Sequence, residues 1–249
     1  MKIISAHQPN FIPYLGFFDK MKESDVFVIR DEVLFSENKD SFQHRNRIRI
    51  NGNDNINNPQ HKWLSVPVHN KQSLIKSVLI KKDVKRKGIS WNEEILKDIK
   101  NNYEKTPYFE EYFPYIKEIL INNHDKLITL NMKLIYFLMD IFGVKTKIIL
   151  ASELGLKSTG NSSEDIANIC DVLGGDLYLS GNGGENYLDL NIFKGSGIKV
   201  EFQEYNHPVY PQKYAGFIPN LASIDPLFCI GPDIFNKSII KPYKKAIKC

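Results

Sequence analysis

KIISAHQPNFIPYLGFFDKMKESDVFVIR, residues 2–30, is the stretch that decides the fold. Residues 2–6 form a short β-prone run that is broken by His7-Gln8-Pro9-Asn10. Pro13 fits the first turn of a helix, because its missing N–H is not needed there, and this helix is predicted to run to about Lys22. The apolar run at residues 25–30 suits a buried strand. A strand–helix–strand unit of this spacing predicts parallel strands joined by a right-handed crossover.

The middle of the chain differs from this first unit. Residues 42–80 contain three short strand candidates, RNRIRI, WLSVPV and SVLI, and a polar loop at residues 51–60 separates the first two. Residues 91–142 predict three helices, and Pro114 is expected to kink or divide one of them.

Alternation of strands and helices returns in the last third. Strands are expected in TKIIL, DLYLS and IKVEF, and a helix capped by Ser162 or Ser163 is expected between the first two. Residues after about 200 are expected to be irregular. We predict one α/β domain, residues 1–249, with a mostly parallel sheet flanked by helices. It has a Rossmann-like start, an irregular β-rich middle and a helical insertion at about residues 91–142.

The composition is that of a folded protein. The 249 residues are 42% hydrophobic and 25% charged, which excludes general disorder. The formal net charge is +4, which is too small to predict DNA as a partner. We find no signal peptide and no apolar run of about 18 residues, so no transmembrane segment is predicted.

The cysteines and histidines disfavour a metal or disulfide framework. Cys170, Cys229 and Cys249 are odd in number and form no close pair, which favours a reducing, cytoplasmic setting. The histidines are scattered, with no HExxH or CxxC spacing, so no metal and no other cofactor is predicted.

Ligands of parallel sheets bind at the carboxyl ends of the strands. That rule directs attention to His7 and Gln8 after the first strand, to Asp31 after the second, and to the turn at residues 180–184. A histidine at such a position suits a general base or a phosphate contact, because its unperturbed pKa is about 6.5. The alternative is that the imidazole of His7 only satisfies backbone groups of a tight turn.

A second candidate is the segment QHRNRIRI, residues 43–50. Alternate residues of a strand share a face, so Gln43, Arg45, Arg47 and Arg49 would point the same way. Guanidinium groups bind phosphate or carboxylate with two parallel hydrogen bonds, so this face predicts anion binding. The alternative is an edge strand whose charges discourage aggregation.

Two later segments also carry candidate residues. Tyr178-Leu179-Ser180-Gly181 leads into a glycine-rich turn that either cradles a phosphate or is an ordinary turn. Further on, His207 and Asp225 are candidates for an acid–base pair. The alternative there is a packed aromatic loop in which histidine and tyrosine bond to the backbone.

Several blocks of the sequence resemble the WbqC-like family, which is associated with bacterial surface-polysaccharide gene sets. They are HQPNFIPYLGFFDKM, QHRNRI, WLSVPV, YLSG and the stretch from FQEYNHPVYPQ to SIDPLF, and in order they cover about residues 3–231. The positions that carry the resemblance are His7, Gln8, Pro9, Tyr14, Gly16, Asp31, Gln43, Arg45, Asn46, Arg47, Tyr178, Ser180, Gly181, Tyr187, His207, Tyr210, Ser223 and Asp225. The resemblance implies a place in O-antigen (lipopolysaccharide) or related glycan biosynthesis, with nucleotide-linked sugars and activated acyl or aminoacyl donors as substrates.

The first unit also resembles the start of nucleotidyltransferases of the adenylylating α/β type. Those enzymes carry a paired-histidine HxGH motif where their first helix begins. The corresponding stretch here is Ile12-Pro13-Tyr14-Leu15, which contains no histidine.

The leading hypothesis is a transferase that moves an acyl or aminoacyl group onto a nucleotide-linked amino sugar. Its predicted catalytic residues are His7, His207, Asp31 and Asp225. A histidine would remove a proton from the attacking amine, an aspartate would orient the histidine or a sugar hydroxyl, and Arg45 and Arg47 would hold the diphosphate. The predicted substrate-binding residues are Gln8, Tyr14, Gln43, Arg45, Asn46, Arg47, Tyr178, Ser180, Gly181, Tyr187, Tyr210 and Ser223.

Two alternatives remain at this stage. One is a non-catalytic protein of the same pathway that binds a glycan or nucleotide sugar or assists assembly. The other is a nucleotidyltransferase, which would release pyrophosphate from a nucleoside triphosphate.

Overall fold

The computed structural model describes residues 1–38, 41–52, 56–69, 72–86 and 88–235, and the backbone of residues 241 and 242. Part of the polar loop predicted at residues 51–60 lies outside these ranges, as does Cys249. Within them the strands are β1 (Ile3–His7), β2 (Val26–Ile29), β3 (Arg45–Arg49), β4 (His61–Ser65), β5 (Lys85–Arg86), β6 (Ile89–Ser90), β7 (Lys147–Leu150), β8 (Leu177–Ser180), β9 (Lys199–Phe202), β10 (Pro208–Val209) and β11 (Lys241–Pro242). The helices are α1 (Leu15–Lys22), α2 (Trp91–Tyr103), α3 (Phe109–Ile121), α4 (Leu127–Ile141), α5 (Ser162–Val172), α6 (Leu190–Gly195) and α7 (Ile224–Ile230).

The central sheet has the strand order β7-β2-β1-β8-β9, and every neighbouring pair is parallel. The chain starts at the centre with β1, adds β2 and β7 on one side, and then adds β8 and β9 on the other. The predicted parallel pairing of the first two strands is confirmed, with Ile4 opposite Val26 and His7 opposite Ile29. The order of strands therefore reverses between β1 and β8, which is where ligands of such sheets bind.

The two faces of the sheet pack against different helices. Phe27 and Ile29 belong to a larger core that includes the apolar side chains of α1 to α4 and α7. Ile4 and Val28 belong to a smaller core with the apolar side chains of α5 and α6. Because successive strand residues point to opposite faces, the short apolar strands serve both cores at once. The predicted α/β architecture with flanking helices is confirmed.

The middle of the chain departs from the prediction in one strand. The predicted strand SVLI is wrong, because this segment follows the 3₁₀ turn Ile75–Ser77 and forms only isolated bridges, such as Leu79 to Lys126. Its backbone groups are divided between the start of α4, where Leu127 N donates to Val78 O at 2.9 Å, and the segment after β4, where His69 N donates to Leu79 O at 2.8 Å. The segments RNRIRI and WLSVPV do form strands, paired as the antiparallel hairpin β3–β4.

Helix boundaries also differ from the sequence-based expectation. Neither Ser162 nor Ser163 caps α5, because the side chain of Asn161 accepts hydrogen bonds from the backbone at the helix start. α3 runs unbroken past Pro114, which lies on its exposed side, where water can satisfy the carbonyl left without a donor. The region after residue 200 is not wholly irregular, since α7 forms there around the buried Phe228.

Gly16, at the start of α1, is a position where a side chain is excluded. A Cβ at Gly16 would lie 2.5 Å from Tyr14 Cε2 and 2.8 Å from Tyr205 Cδ1. We expect Gly16→Ala to lower the free energy of unfolding by about 1–3 kcal/mol, the usual cost of overpacking, as measured by urea titration. The control is Gly195→Ala in α6, where an added Cβ meets nothing within 4 Å. Equal stability of the two variants would contradict this close packing.

Candidate functional site

A cleft of about 1130 Å³ opens at the carboxyl ends of β1, β2, β8 and β9. It spans the point where the strand order reverses, which is the expected ligand position for this topology. The structure brings together in this cleft the following predicted residues: His7, Gln8, Tyr14, Tyr178, Ser180, Gly181, Tyr187 and His207.

His7 is the last residue of β1 and is held in a defined protonation state. Its Nδ1 lies 2.8 Å from the carbonyl oxygen of Gln8, and because a carbonyl only accepts, Nδ1 must carry the proton. Nε2 is then a lone-pair acceptor, and it makes no hydrogen bond to any described residue. Burial, together with the charge of Lys20, lowers the pKa of His7 to about 3. His7 is therefore neutral at physiological pH.

His207 has the same arrangement on another wall of the cleft. Its Nδ1 donates to the carbonyl oxygen of Pro208 at 2.8 Å, which again leaves Nε2 as an acceptor. Burial lowers the pKa of His207 to about 4. Its ring packs against Tyr205, Tyr210 and Phe217, with centroid distances of 5.9, 6.1 and 5.8 Å. The cleft thus contains two neutral imidazoles, each with its backbone-bonded nitrogen protonated.

The fixed charges at the cleft are positive. Lys20 and Arg30 line it, and among the described residues no aspartate or glutamate does. Sequence reasoning missed both cations. A signal for Lys20 was present, because it lies three residues after Phe17 on the apolar stripe of α1, where a solvated lysine is not expected.

The sequence model of the WbqC-like protein family matches residues 8–237. The chain belongs to the WbqC-like family. The matched range includes His207 and begins one residue after His7. The chain is also 27% identical over 238 residues to the uncharacterized protein Rv1507c of Mycobacterium tuberculosis (strain ATCC 25618 / H37Rv), over 94% of this chain and 96% of that protein. Among solved structures, none matches the chain.

In this WbqC-like protein, Gln43 and Asn46 support the loop that follows β1. Gln43 Nε2 donates to Gln8 Oε1 at 2.6 Å, and Asn46 Nδ2 donates to the carbonyl oxygen of Ile12 at 2.6 Å. Asn131 in α4 donates to the carbonyl oxygens of Pro9 and Gln43 at 2.9 and 2.7 Å. These bonds fix a loop in which Ile12 has a φ of 45°, a conformation that isoleucine rarely adopts. Gln43 and Asn46 are buried and do not line the cleft.

The arginine side chains of β3 share a face, as strand alternation predicts, but the structure places them outside the cleft. The guanidinium of Arg45 stacks 4.5 Å from the centroid of the Trp63 ring, and that of Arg47 lies 5.6 Å from the same centroid. Arg47 also donates to the carbonyl oxygen of Asn220 at 3.3 Å, at the rim of the cleft. Arg49 is 1% exposed and donates to three backbone carbonyls.

The predicted aspartates lie in the interior, and neither lines the cleft. The carboxylate of Asp31 accepts hydrogen bonds from the backbone N and Oγ of Ser152 at 2.9 and 2.7 Å. The carboxylate of Asp225 accepts from the hydroxyls of Tyr103 at 2.7 Å and Tyr210 at 2.6 Å. Tyr210 and the fully buried Ser223 likewise lie outside the cleft lining.

Searches for metal ligands and for membrane spans are negative over the parts of the chain that the structure describes. No group of three or more His, Cys, Asp or Glu side chains comes together there as metal ligands. No described helix has both the length and the apolar character needed to cross a bilayer.

Proposed function

We propose that this protein is a transferase of surface-polysaccharide biosynthesis that acts on a nucleotide-linked amino sugar. It moves an acyl or aminoacyl group from an activated donor to the sugar amine. The observation that carries the proposal is the cleft itself, which combines two neutral histidines with two cations and, among the described residues, no carboxylate. We further propose a cytoplasmic location, because Cys170 and Cys229 are free thiols.

The charge of the cleft supports a phosphate-bearing substrate. Lys20 is 2% exposed, so its charge acts through a medium that screens it less than water does, whereas the charge of Arg30 is partly offset by Glu32 and Asp165. A cleft of one charge sign concentrates ligands of the opposite sign. The diphosphate of a nucleotide sugar carries that sign, and in this proposal Lys20 takes the place that the sequence suggested for Arg45 and Arg47.

The histidines support acceptance of a proton. As the amine attacks the donor carbonyl, a nitrogen–carbon bond forms and the bond from that carbon to the leaving group breaks. Nε2 of His7 or His207 takes the proton from the attacking nitrogen, and the leaving group departs with the bonding electrons. A bound phosphate places negative charge near His7, and this charge raises the pKa that burial and Lys20 lower, toward the range where a base is most effective.

The aromatic walls support binding of a sugar or base. Tyr14, Tyr187 and Tyr205 line the cleft, and aromatic rings stack on the apolar faces of such groups. The hydroxyl of Tyr205 is buried and has no hydrogen-bond partner within the described chain.

The test is a transfer assay with purified protein. Nucleoside-diphosphate amino sugars are offered together with acyl-coenzyme A or aminoacyl donors, and mass spectrometry follows the sugar. We expect one nucleotide sugar to gain the mass of the transferred group. If calorimetry detects binding of a nucleotide sugar but no donor supports transfer, the non-catalytic alternative is favoured. If no nucleotide sugar binds, both the transferase and the non-catalytic nucleotide-sugar-binding hypotheses are refuted.

A further inference from the structure

Lys20 is a buried lysine for which no described residue supplies a counterion. It is 2% exposed, and its Nζ donates one hydrogen bond, to the carbonyl oxygen of Ala6 at 3.0 Å. An ammonium group has three N–H donors, so two lack an oxygen acceptor, and the other contact recorded for Nζ is with the Phe27 ring, whose centroid lies 5.7 Å away. No described carboxylate forms an ion pair with it. Burial of a charge in this state is unfavourable until an anion approaches.

Arg30, the other cation of the cleft, already has such partners. Its Nε donates to Glu32, and its Nη2 lies 4.0 Å from Asp165 Oδ2. The positive charge of Arg30 is therefore largely offset within the protein. Lys20 is the cation of the cleft whose charge is open to a ligand.

The backbone beside Lys20 leaves room for such a ligand. Gly181 begins the turn after β8, and a Cβ at this position would lie 3.8 Å from Lys20 Nζ. A side chain at residue 181 would therefore occupy the space next to the amine, and glycine keeps it open. Ala6, which accepts the bond from Lys20, belongs to β1, so Lys20 lies at the point where the strand order reverses.

We propose that Lys20 binds a phosphate group of the substrate, in the space between the end of β1 and the turn after β8. This assignment rests on the proposed function, in which the ligand is a nucleoside diphosphate. The assignment adds the position of the phosphate within the cleft. His7, whose pKa responds to the charge of Lys20, is then beside the phosphate.

Phosphate binding has a measurable consequence for protons. Burial lowers the pKa of Lys20 to about 7, so at about pH 8 the free side chain is mostly neutral. A bound phosphate favours the charged form, so binding takes up close to one proton at about pH 8 and much less at about pH 6. The other titratable or charged side chains that line the cleft are His7, Tyr14, Arg30, Tyr178, Tyr187, Tyr205 and His207. At about pH 8 the histidines stay neutral because their pKa values are lowered, and the tyrosines stay protonated because burial raises their pKa values, so neither group contributes.

The experiment is calorimetry with UDP as the probe and uridine as the phosphate-free control, in two buffers of different ionisation enthalpy at about pH 8. We expect wild-type protein to bind UDP more tightly than uridine and to take up close to one proton. Lys20→Met is expected to weaken UDP binding by about 10- to 100-fold, the effect of losing a charge-assisted hydrogen bond. Lys20→Arg, which is always charged, is expected to bind UDP without proton uptake.

Several results would overturn the assignment. These are absence of UDP binding to the wild-type protein, absence of proton uptake at about pH 8, or unchanged UDP affinity in a Lys20→Met variant that keeps the wild-type circular dichroism. The outcome is separable from that of the proposed function. UDP binding that depends on Lys20 supports this site even if no donor gives transfer, whereas transfer by Lys20→Met with unchanged affinity for the nucleotide sugar refutes the site alone.

Discussion

Replacing His7 and His207 together by asparagine is expected to lower the rate of group transfer by about 10²- to 10⁴-fold, while the dissociation constant for the nucleotide sugar changes little. Asparagine can still donate a hydrogen bond to the carbonyl that Nδ1 now reaches, because its amide nitrogen lies at a similar distance from the backbone. It has nothing in the place of Nε2, so only the proton acceptor is lost. The measurement is the transfer rate at saturating substrate, with calorimetry of nucleotide-sugar binding in parallel.

The single variants and a control identify which imidazole acts. His124 is also buried but does not line the cleft, and it bonds to a backbone carbonyl through Nε2, so His124→Asn reports the cost of losing a buried imidazole together with its hydrogen bond. The variant that removes the base is expected to lose the acid limb of the pH–rate profile. Retention of transfer within about threefold in the double variant would exclude both histidines as the base.

Asp225→Ala is expected to lower the free energy of unfolding by about 3–5 kcal/mol, because it leaves several buried donors without an acceptor. The Asp225 carboxylate is fully buried and accepts from Tyr103, Tyr210 and Gln212 at 2.7, 2.6 and 3.1 Å. These bonds tie α7 to α2 and to the segment that follows His207. Urea titration measures the effect, and Tyr103→Phe is expected to cost about 1–3 kcal/mol, because it removes one bond to Asp225 and also the bond that the Tyr103 hydroxyl accepts from the backbone N of Arg49 at 2.9 Å.

A surface aspartate provides the matched control. Asp171, at the end of α5, is exposed, and Asp171→Ala is expected to change stability by no more than about 0.5 kcal/mol. If Asp225→Ala were as stable as the wild-type protein and yet inactive in transfer, the sequence-based hypothesis of a catalytic Asp225 would be favoured over this structural role.

The location of the cleft follows from the sequence, because the rule for parallel sheets depends only on the order of strands and helices. His7, Gln8 and the turn at Ser180 were expected there, and they line it. Asp31 was expected by the same rule, but its side chain turns to Ser152, and its neighbour Arg30 faces the cleft instead. Because successive residues point to opposite sides, a shift of one position along the chain decides whether a side chain faces the cleft or the interior.

The arginine side chains of β3 show a different limit of prediction from sequence. The alternation of Arg45 and Arg47 on one side of β3 was predictable, because strand periodicity is local. Their partner Trp63 comes from β4 and was not predictable, because the register of the hairpin and the intervening loop decide which ring lies beneath each guanidinium. The support that Gln43 and Asn46 give to the loop after β1 was not predictable either, because it depends on contacts with α4 and with the backbone of Ile12.

The sequence by itself determined the family, the parallel strand–helix–strand start and the edge of the sheet where a ligand binds, because these depend on motifs and periodicities within short segments. The single-domain organisation over residues 1–249 stays a prediction. Only the tertiary structure decided which charged groups face the cleft. Lys20 became a candidate for phosphate binding because β8 brings Gly181 beside it from 161 positions further along the chain, while no described carboxylate forms an ion pair with it. A side chain's electrostatic environment is set by long-range neighbours, and periodicity within one segment contains no information about them.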